Sequence, residues 1–333
     1  MSKADAAAAI LWVGATFYAL FGGADFGGGF WDLVAGGPER GQRPRNVIQR
    51  SLTPVWEANH VWLIFVLVVL WTAFPSAFSA IFTTLYVPIA LAALGIVFRG
   101  AGFAFRKSIV GLQGRRAMGA TFAISSVLTP FFMGTVVGAI AAGNVPAAGN
   151  GDAFSSWIQP LPLLIGAMFV ASGAYLAAVF LVGDARRGDH EMEGYFERRA
   201  LVAAVVAGAF AVAGLFALHS EARYVFDRLT SEGLPLVILS LLCGAALVAV
   251  LLRGGRRPLR PLAAAAVIAV VWGWGVAQFP YLLPTSLHID QAAAPDPTMT
   301  TIFIVFAAAA ALVLPSLGLL YTLAQRDLLE GEH

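Results

Sequence analysis

Charge is scarce in this chain: Asp, Glu, Lys and Arg together make up 12% of its 333 residues, against 59% hydrophobic. An average soluble domain carries about 25% charged residues. The chain therefore lacks the charge to cover a water-facing globule, and its solvent must be largely lipid. Cysteine is scarcer still. A single Cys243 excludes an internal disulfide framework, a paired-cysteine metal site and a thiol redox pair. Net charge is almost absent at +2, which argues against nucleic acid as a partner. Long polar stretches are missing too, so no segment between the apolar runs could hold a soluble domain. What the chain does have is apolar length, with 24 Phe and 8 Trp of the kind that anchor at membrane interfaces.

A helix crossing the hydrocarbon core needs about 20 apolar residues. That window predicts an all-α integral membrane protein with about nine spans, forming one polytopic domain over residues 1–333. The predicted spans are Ala7–Val34, Val55–Phe74, Ala77–Phe105, Ala117–Ala142, Ile158–Val182, Ala200–Leu218, Leu234–Leu252, Leu262–Phe279 and Thr300–Leu323. The first is too long, and its charged start too weak, for a cleavable signal peptide. Lys and Arg accumulate in alternate loops, 17 on one side against 3 on the other, with Arg99 left inside a span. The positive-inside rule then puts the N-terminus outside and the C-terminus in the cytoplasm. No internal repeat is legible.

Ionisable residues inside spans are costly and mark function by default. Asp25 lies in the first span, Glu57 and His60 in the second and Arg99 in the third. At 1.5 Å per residue Asp25 is about 13 Å from the cytoplasmic end, and Glu57 and Arg99 fall in the same half. Pairing of Arg99 with Asp25 or Glu57 could serve only to neutralise buried charge. That would leave a second carboxylate unexplained, and an extra buried acid near one cation tends to exchange protons. In TPVWEANHVWLI, Trp56, Asn59 and His60 share one helical stripe, with Glu57 three residues before His60. Pro54 suits a first helical turn and Thr53 an N-cap. The stripe could relay protons or pack as a polar face against a partner. GGADFGGGF at Gly22–Phe30 follows no strand, so a nucleotide loop is excluded, and its glycines suit close helix approach instead. A lone His60 is more often hydrogen-bonded within a bundle than a haem ligand, and Glu57–His60 lacks the second copy that a di-iron site requires. No metal or haem bound by this chain alone is therefore expected.

GGADFGGGFWDL, SLTPVWEANHVWLI, GIVFRGAGFAFR, PFFMGTVVGAI and GWGVAQFPYLLPTSLHIDQAAAPD occur in the order found in subunit II of cytochrome bd-type quinol oxidases. The chain resembles that family over most of its length. The resemblance implies a heterodimer with subunit I, which carries haems b and d and the quinol-oxidising loop. It also implies reduction of O2 to water with quinol electrons and protons drawn from the cytoplasm of a bacterial cell. Glu57 would correspond to the acid at a cytoplasmic proton entrance, Asp25 to the acid of the glycine motif and Arg99 to the buried arginine. Some relatives hold a structural quinone in this subunit, and some complexes carry a small accessory subunit. Glu57, Ala58 and His60 stand where the better-known branch has Asp, Gly and Glu, a form closer to the cyanide-insensitive branch. The competing reading is a proton-coupled secondary transporter. The odd span count and the off-centre cluster argue against it.

Overall fold

The computed structural model describes residues 2–37, 40–52, 56–108, 111–255 and 257–325. The chain is a helical membrane protein built as two successive groups of helices and a final one. The first group runs α1 (Lys3–Phe17), α2 (Gly23–Leu33), the surface helix α3 (Gln42–Leu52), α4 (Trp56–Ala73), α5 (Pro75–Thr84), α6 (Tyr86–Ser108) and α7 (Leu112–Ala141). The second runs α8 (Pro160–Gly188), α9 (Glu193–Glu221), α10 (Arg223–Thr230), α11 (Leu234–Leu252) and α12 (Leu259–Gln278). A small antiparallel hairpin, β1 (Tyr281–Leu283) with β2 (Leu287–His288), follows, then α13 (Ile289–Ala292) and α14 (Asp296–Gln325). Among the described residues, eight helices are long and apolar enough to cross a membrane, or nine if the bent α4–α5 pair counts as one span.

One expectation needs correction. The run Ala77–Phe105 is not one span. Its first part belongs to α5, which bends by 116° from α4, and only α6 continues as the crossing helix. Pro75 is the cause. The residue before a proline is pushed out of the α region, and Phe74 sits at φ −135°, ψ 60°. The corner is tied from outside by the segment after α13, where the Ala294 N–H donates to the Ala73 carbonyl at 2.8 Å. The stretch Pro280–Met299 folds into the hairpin and α13. Gln278, at the end of α12, donates from Nε2 to the Leu282 carbonyl at 2.6 Å and so starts that fold.

A second corner matches the first. Between α9 and α10, Ala222 adopts φ −137° and ψ 58°, without any proline. Each group is therefore two crossing helices, a corner with a short helix, and two more crossing helices.

Small residues set the packing where the groups meet. A Cβ at Gly27 of α2 would strike the Gly173 carbonyl of α8, and one at Gly29 would strike the Ser126 side chain of α7. At Gly134 it would come within 2.7 Å of the Gly166 Cα, joining α7 to α8. Without a hydrophobic drive between helices in lipid, such close backbone approach is what van der Waals association requires. Trp31 closes the contact by donating its indole N–H to the Ala174 carbonyl at 2.8 Å. As a result α8 is largely enclosed, while α9, α11 and α14 present most of their apolar surface outward.

Candidate functional site: a buried charged cluster in the first helical group

Asp25 and Arg99 meet in the interior. The Arg99 Nη2 donates to Asp25 Oδ1 at 2.8 Å, with the two side chains 2% and 1% exposed. The same nitrogen reaches the Asp25 carbonyl at 3.3 Å, and Nε donates to Ser126 Oγ at 2.9 Å. Ser126 in turn donates to the Phe122 carbonyl one turn back in α7. Above and below, the guanidinium faces the rings of Phe26 and Phe122, with Cζ 4.9 and 4.8 Å from their centroids. Three helices thus hold one cation: α2 supplies its counter-charge, α7 a hydroxyl, and both an aromatic face. A charge held in this way is tolerable in lipid, because the pair offsets desolvation and the rings add cation–π attraction. One acceptor is left over. Asp25 Oδ2 is buried and takes no hydrogen bond from any described residue.

The segment before Asp25 departs from regular geometry. Residues Tyr18–Gly22 form a π-helical turn between α1 and α2, an arrangement that often accompanies functional sites. The wider turn lays the Tyr18 ring against Gly22, where a Cβ would stand 2.8 Å from it. The Tyr18 hydroxyl points to Met133 Sδ at 3.7 Å, within electrostatic reach of Arg99 and Asp25.

The polar stripe of α4 arrives from the other side. His60 packs edge-on against Phe26, with ring centroids 6.2 Å apart, and interacts electrostatically with both Arg99 and Asp25. Asn59 is buried beside it in sequence. The backbone of Trp56 and Glu57 opens α4, but their side chains, like all of Thr53 and Pro54, lie outside the described residues. The structure therefore brings together Asp25, Arg99 and His60. It adds Tyr18, Ser126 and Phe122, which sequence reasoning missed. A tyrosine two turns before Asp25 and a serine in an apolar run were the available signals, but hydroxyls inside spans are too common to single these out.

Two clusters lie at the helix ends on the basic side. Arg45 donates to Asp32 Oδ1 at 2.7 Å, and Arg43 reaches Asp189 at 3.0 Å and Glu191 at 2.6 Å. The carboxylates raise the pKa of Arg43 above its ordinary value, first through the hydrogen bond that Arg43 donates to Glu191. Among the described residues no group of three or more His, Cys, Asp or Glu is placed to hold a metal ion.

Residues 4–324 match the family described as cytochrome bd terminal oxidase subunit II. A Bacillus subtilis (strain 168) protein with the provisional name cytochrome bd menaquinol oxidase subunit II is 20% identical over 334 residues, covering 96% of this chain and 95% of the relative. The cytochrome bd-I ubiquinol oxidase subunit 2 of Escherichia coli (strain K12) is 28% identical over 222 residues, 62% of this chain and 55% of the relative. In three dimensions the whole chain superposes on a chain of the bd oxidase from Geobacillus thermodenitrificans, with a TM-score of 0.80 at 22% identity and full coverage of both.

Proposed function

The chain belongs to the cytochrome bd terminal oxidase subunit II family, and on that premise we propose that it supports a quinol oxidase from its first helical group by supplying protons from the cytoplasm. The complex is a membrane-bound oxidoreductase. Its partner is subunit I, which would carry haems b and d. Those haems supply the electron transfer from quinol to O2. Two quinols reduce one O2 to two waters, so the protons used at the oxygen site must reach it through protein from one side of the membrane. The bacterial cytoplasmic membrane, with the N-terminus outside, is the location that the loop charges favour.

What supports a proton role for this chain is the leftover Asp25 Oδ2. A carboxylate that only balanced Arg99 would gain by using both oxygens, since bidentate pairing is the stronger arrangement. Here one oxygen is held by Arg99, and the other is buried and takes no hydrogen bond from any described residue. Arg99 fixes the position of Asp25. Glu57, at the end of α4 that the charge rule places inward, is assigned the entrance, and Asn59 and His60 the stripe leading from it. Asp25 itself is assigned to holding the pair in place and accepting a proton only transiently.

The test is Glu57→Gln in the intact complex, with quinol-driven oxygen consumption and haem spectra recorded together. The expected result is low turnover with near-normal haem content, and partial activity in Glu57→Asp. Unchanged turnover with intact haems sinks the proton role of Glu57. Loss of haem would assign it to the interface or to structure instead.

A further inference from the structure

On the basic side of the second group, a cavity of about 370 Å³ opens between the ends of α8, α9 and α12. Four arginines line it: Arg186 and Arg187 from α8, Arg257 just before α12 and Arg260 in its first turn. They are not equivalent. Arg260 lies flat across α8 over Gly183, donating to the Phe180 carbonyl at 2.8 Å and to Asp184 Oδ1 at 2.6 Å. Arg187 shares that carboxylate at 2.6 Å. One Asp184 thus serves two arginines. Arg186 and Arg257 are exposed and make no hydrogen bond or ion pair to any described residue. Glu193, buried at the start of α9, is the acid of the lining. With Asp184 counted beside it, these residues keep two positive charges in excess. Its inner wall is of opposite character, formed by the buried Val179, Val182 and Leu259.

A cationic rim over an apolar wall, at the ends of membrane-spanning helices, matches a molecule with an anionic head and a hydrocarbon body. We infer that this cavity binds the phosphate-bearing headgroup of an anionic phospholipid, with Arg186 and Arg257 meeting the phosphate and Arg260 held in place by α8. Basic pockets between helices on the cytoplasmic side are suited to such headgroups, and arginine to the phosphate oxygens. A free anion would use the rim alone, whereas a phospholipid at the ends of membrane-spanning helices is also held by the bilayer around it. That is why the observations favour lipid over inorganic phosphate. The site is separate from the Asp25–Arg99 cluster, and its assignment does not depend on the proton role of Glu57.

The experiment uses the whole purified complex, delipidated in detergent and then offered phosphatidylglycerol, phosphatidylcholine or inorganic phosphate, with retention read by native mass spectrometry. Wild type should retain a phosphatidylglycerol that the Arg186→Gln/Arg257→Gln double variant binds roughly thirtyfold more weakly, the effect of removing two basic groups at a membrane surface. The Arg186→Lys/Arg257→Lys variant should keep most of the affinity, since a lysine still presents a point charge to phosphate. Both side chains are exposed and unpaired, so neither variant disturbs packing. Equal retention by wild type and the Gln double variant overturns the inference. So does retention of phosphatidylcholine as strong as that of phosphatidylglycerol. Displacement of the lipid by millimolar phosphate alone overturns it as well, by making the cavity a free-anion site.

Discussion

The two helical groups share one plan and differ in what they bury. Each has two crossing helices, a corner at a residue with φ near −136° as found at Phe74 and Ala222, a short helix and two more crossing helices. Within the first, the buried polar side chains include Asp25, Asn59, Arg99, Ser125, Ser126, Thr129 and Thr135. Within the second they are Glu193 and Gln278 among the described residues, and both lie at helix ends. Where α2 and α6 bring Asp25 to Arg99, α8 and α11 bring Tyr175 beside Cys243. The second group demonstrates that this scaffold stands on an apolar interior. The charged pair of the first group is therefore an addition that the architecture does not need, retained at a desolvation cost.

The comparison is sharpest at Arg99. Arg99→Ala leaves Asp25 as an unpaired buried charge, an error worth about 3–5 kcal/mol, and should abolish recovery of the assembled complex. Tyr175→Phe in the second group should leave yield and thermal stability nearly unchanged, because its hydroxyl has no hydrogen-bond partner among the described residues to lose. If both variants assemble equally well, the contrast between the groups is not energetic. Asp25→Leu/Arg99→Met separates structure from function, because a buried pair can be exchanged for apolar groups at little cost in stability. Assembly should return in this variant while quinol oxidation stays low. Full activity would reduce the pair to packing.

A smaller effect is expected where the groups meet. Gly27→Ala forces a methyl into the Gly173 backbone, and overpacking of that kind costs about 1–3 kcal/mol. Thermal unfolding of the detergent-solubilised complex should show a clear drop, whereas the same change at Gly208 of α9, where a Cβ meets nothing, should show none. Equal behaviour at the two sites would mean that α2 and α8 do not touch as described.

The smallest effect lies in the loop joining the groups. Asp152 accepts the backbone N–H groups of Phe154 at 3.0 Å and Ser155 at 2.7 Å, and the Ser155 bond leads in holding its pKa below the ordinary value. A lowered folded-state pKa contributes stability above the unfolded value of about 3.9 and loses it as pH falls through the folded value. Asp152→Asn should therefore lower the unfolding temperature slightly and by the same amount from pH 8 to pH 5. A difference that grows or vanishes within that interval would assign the effect to another group.

Much of the candidate site was legible in the sequence because charge in an apolar run is conspicuous. Asp25, Arg99 and His60 stand out against lipid without any knowledge of packing, and regular helix rise placed Asp25 and Arg99 in the same half of the membrane. That Arg99 meets Asp25 was not legible, since the contact needs α2 brought against α6. Tyr18 was hidden by the π-helical turn, whose extra backbone width leaves no mark in the residue pattern. Arg43, Arg45, Arg187 and Arg260 read only as a topological signal, yet each is spoken for by a carboxylate that folding brings to it.

Composition and apolar length alone determined that the chain is a helical bundle in a membrane, because lipid admits only helices or closed barrels and apolar runs of about 20 residues have the length of helices. Motif order added the family. The tertiary structure alone decided where the spans break, how the two groups mirror one another without sequence likeness, and which charges are paired. The reason is physical: a corner such as Ala222, a glycine-to-glycine contact and a shared carboxylate each depend on a partner distant in the chain, and hydropathy records only what a residue thinks of its solvent, not which neighbour it meets.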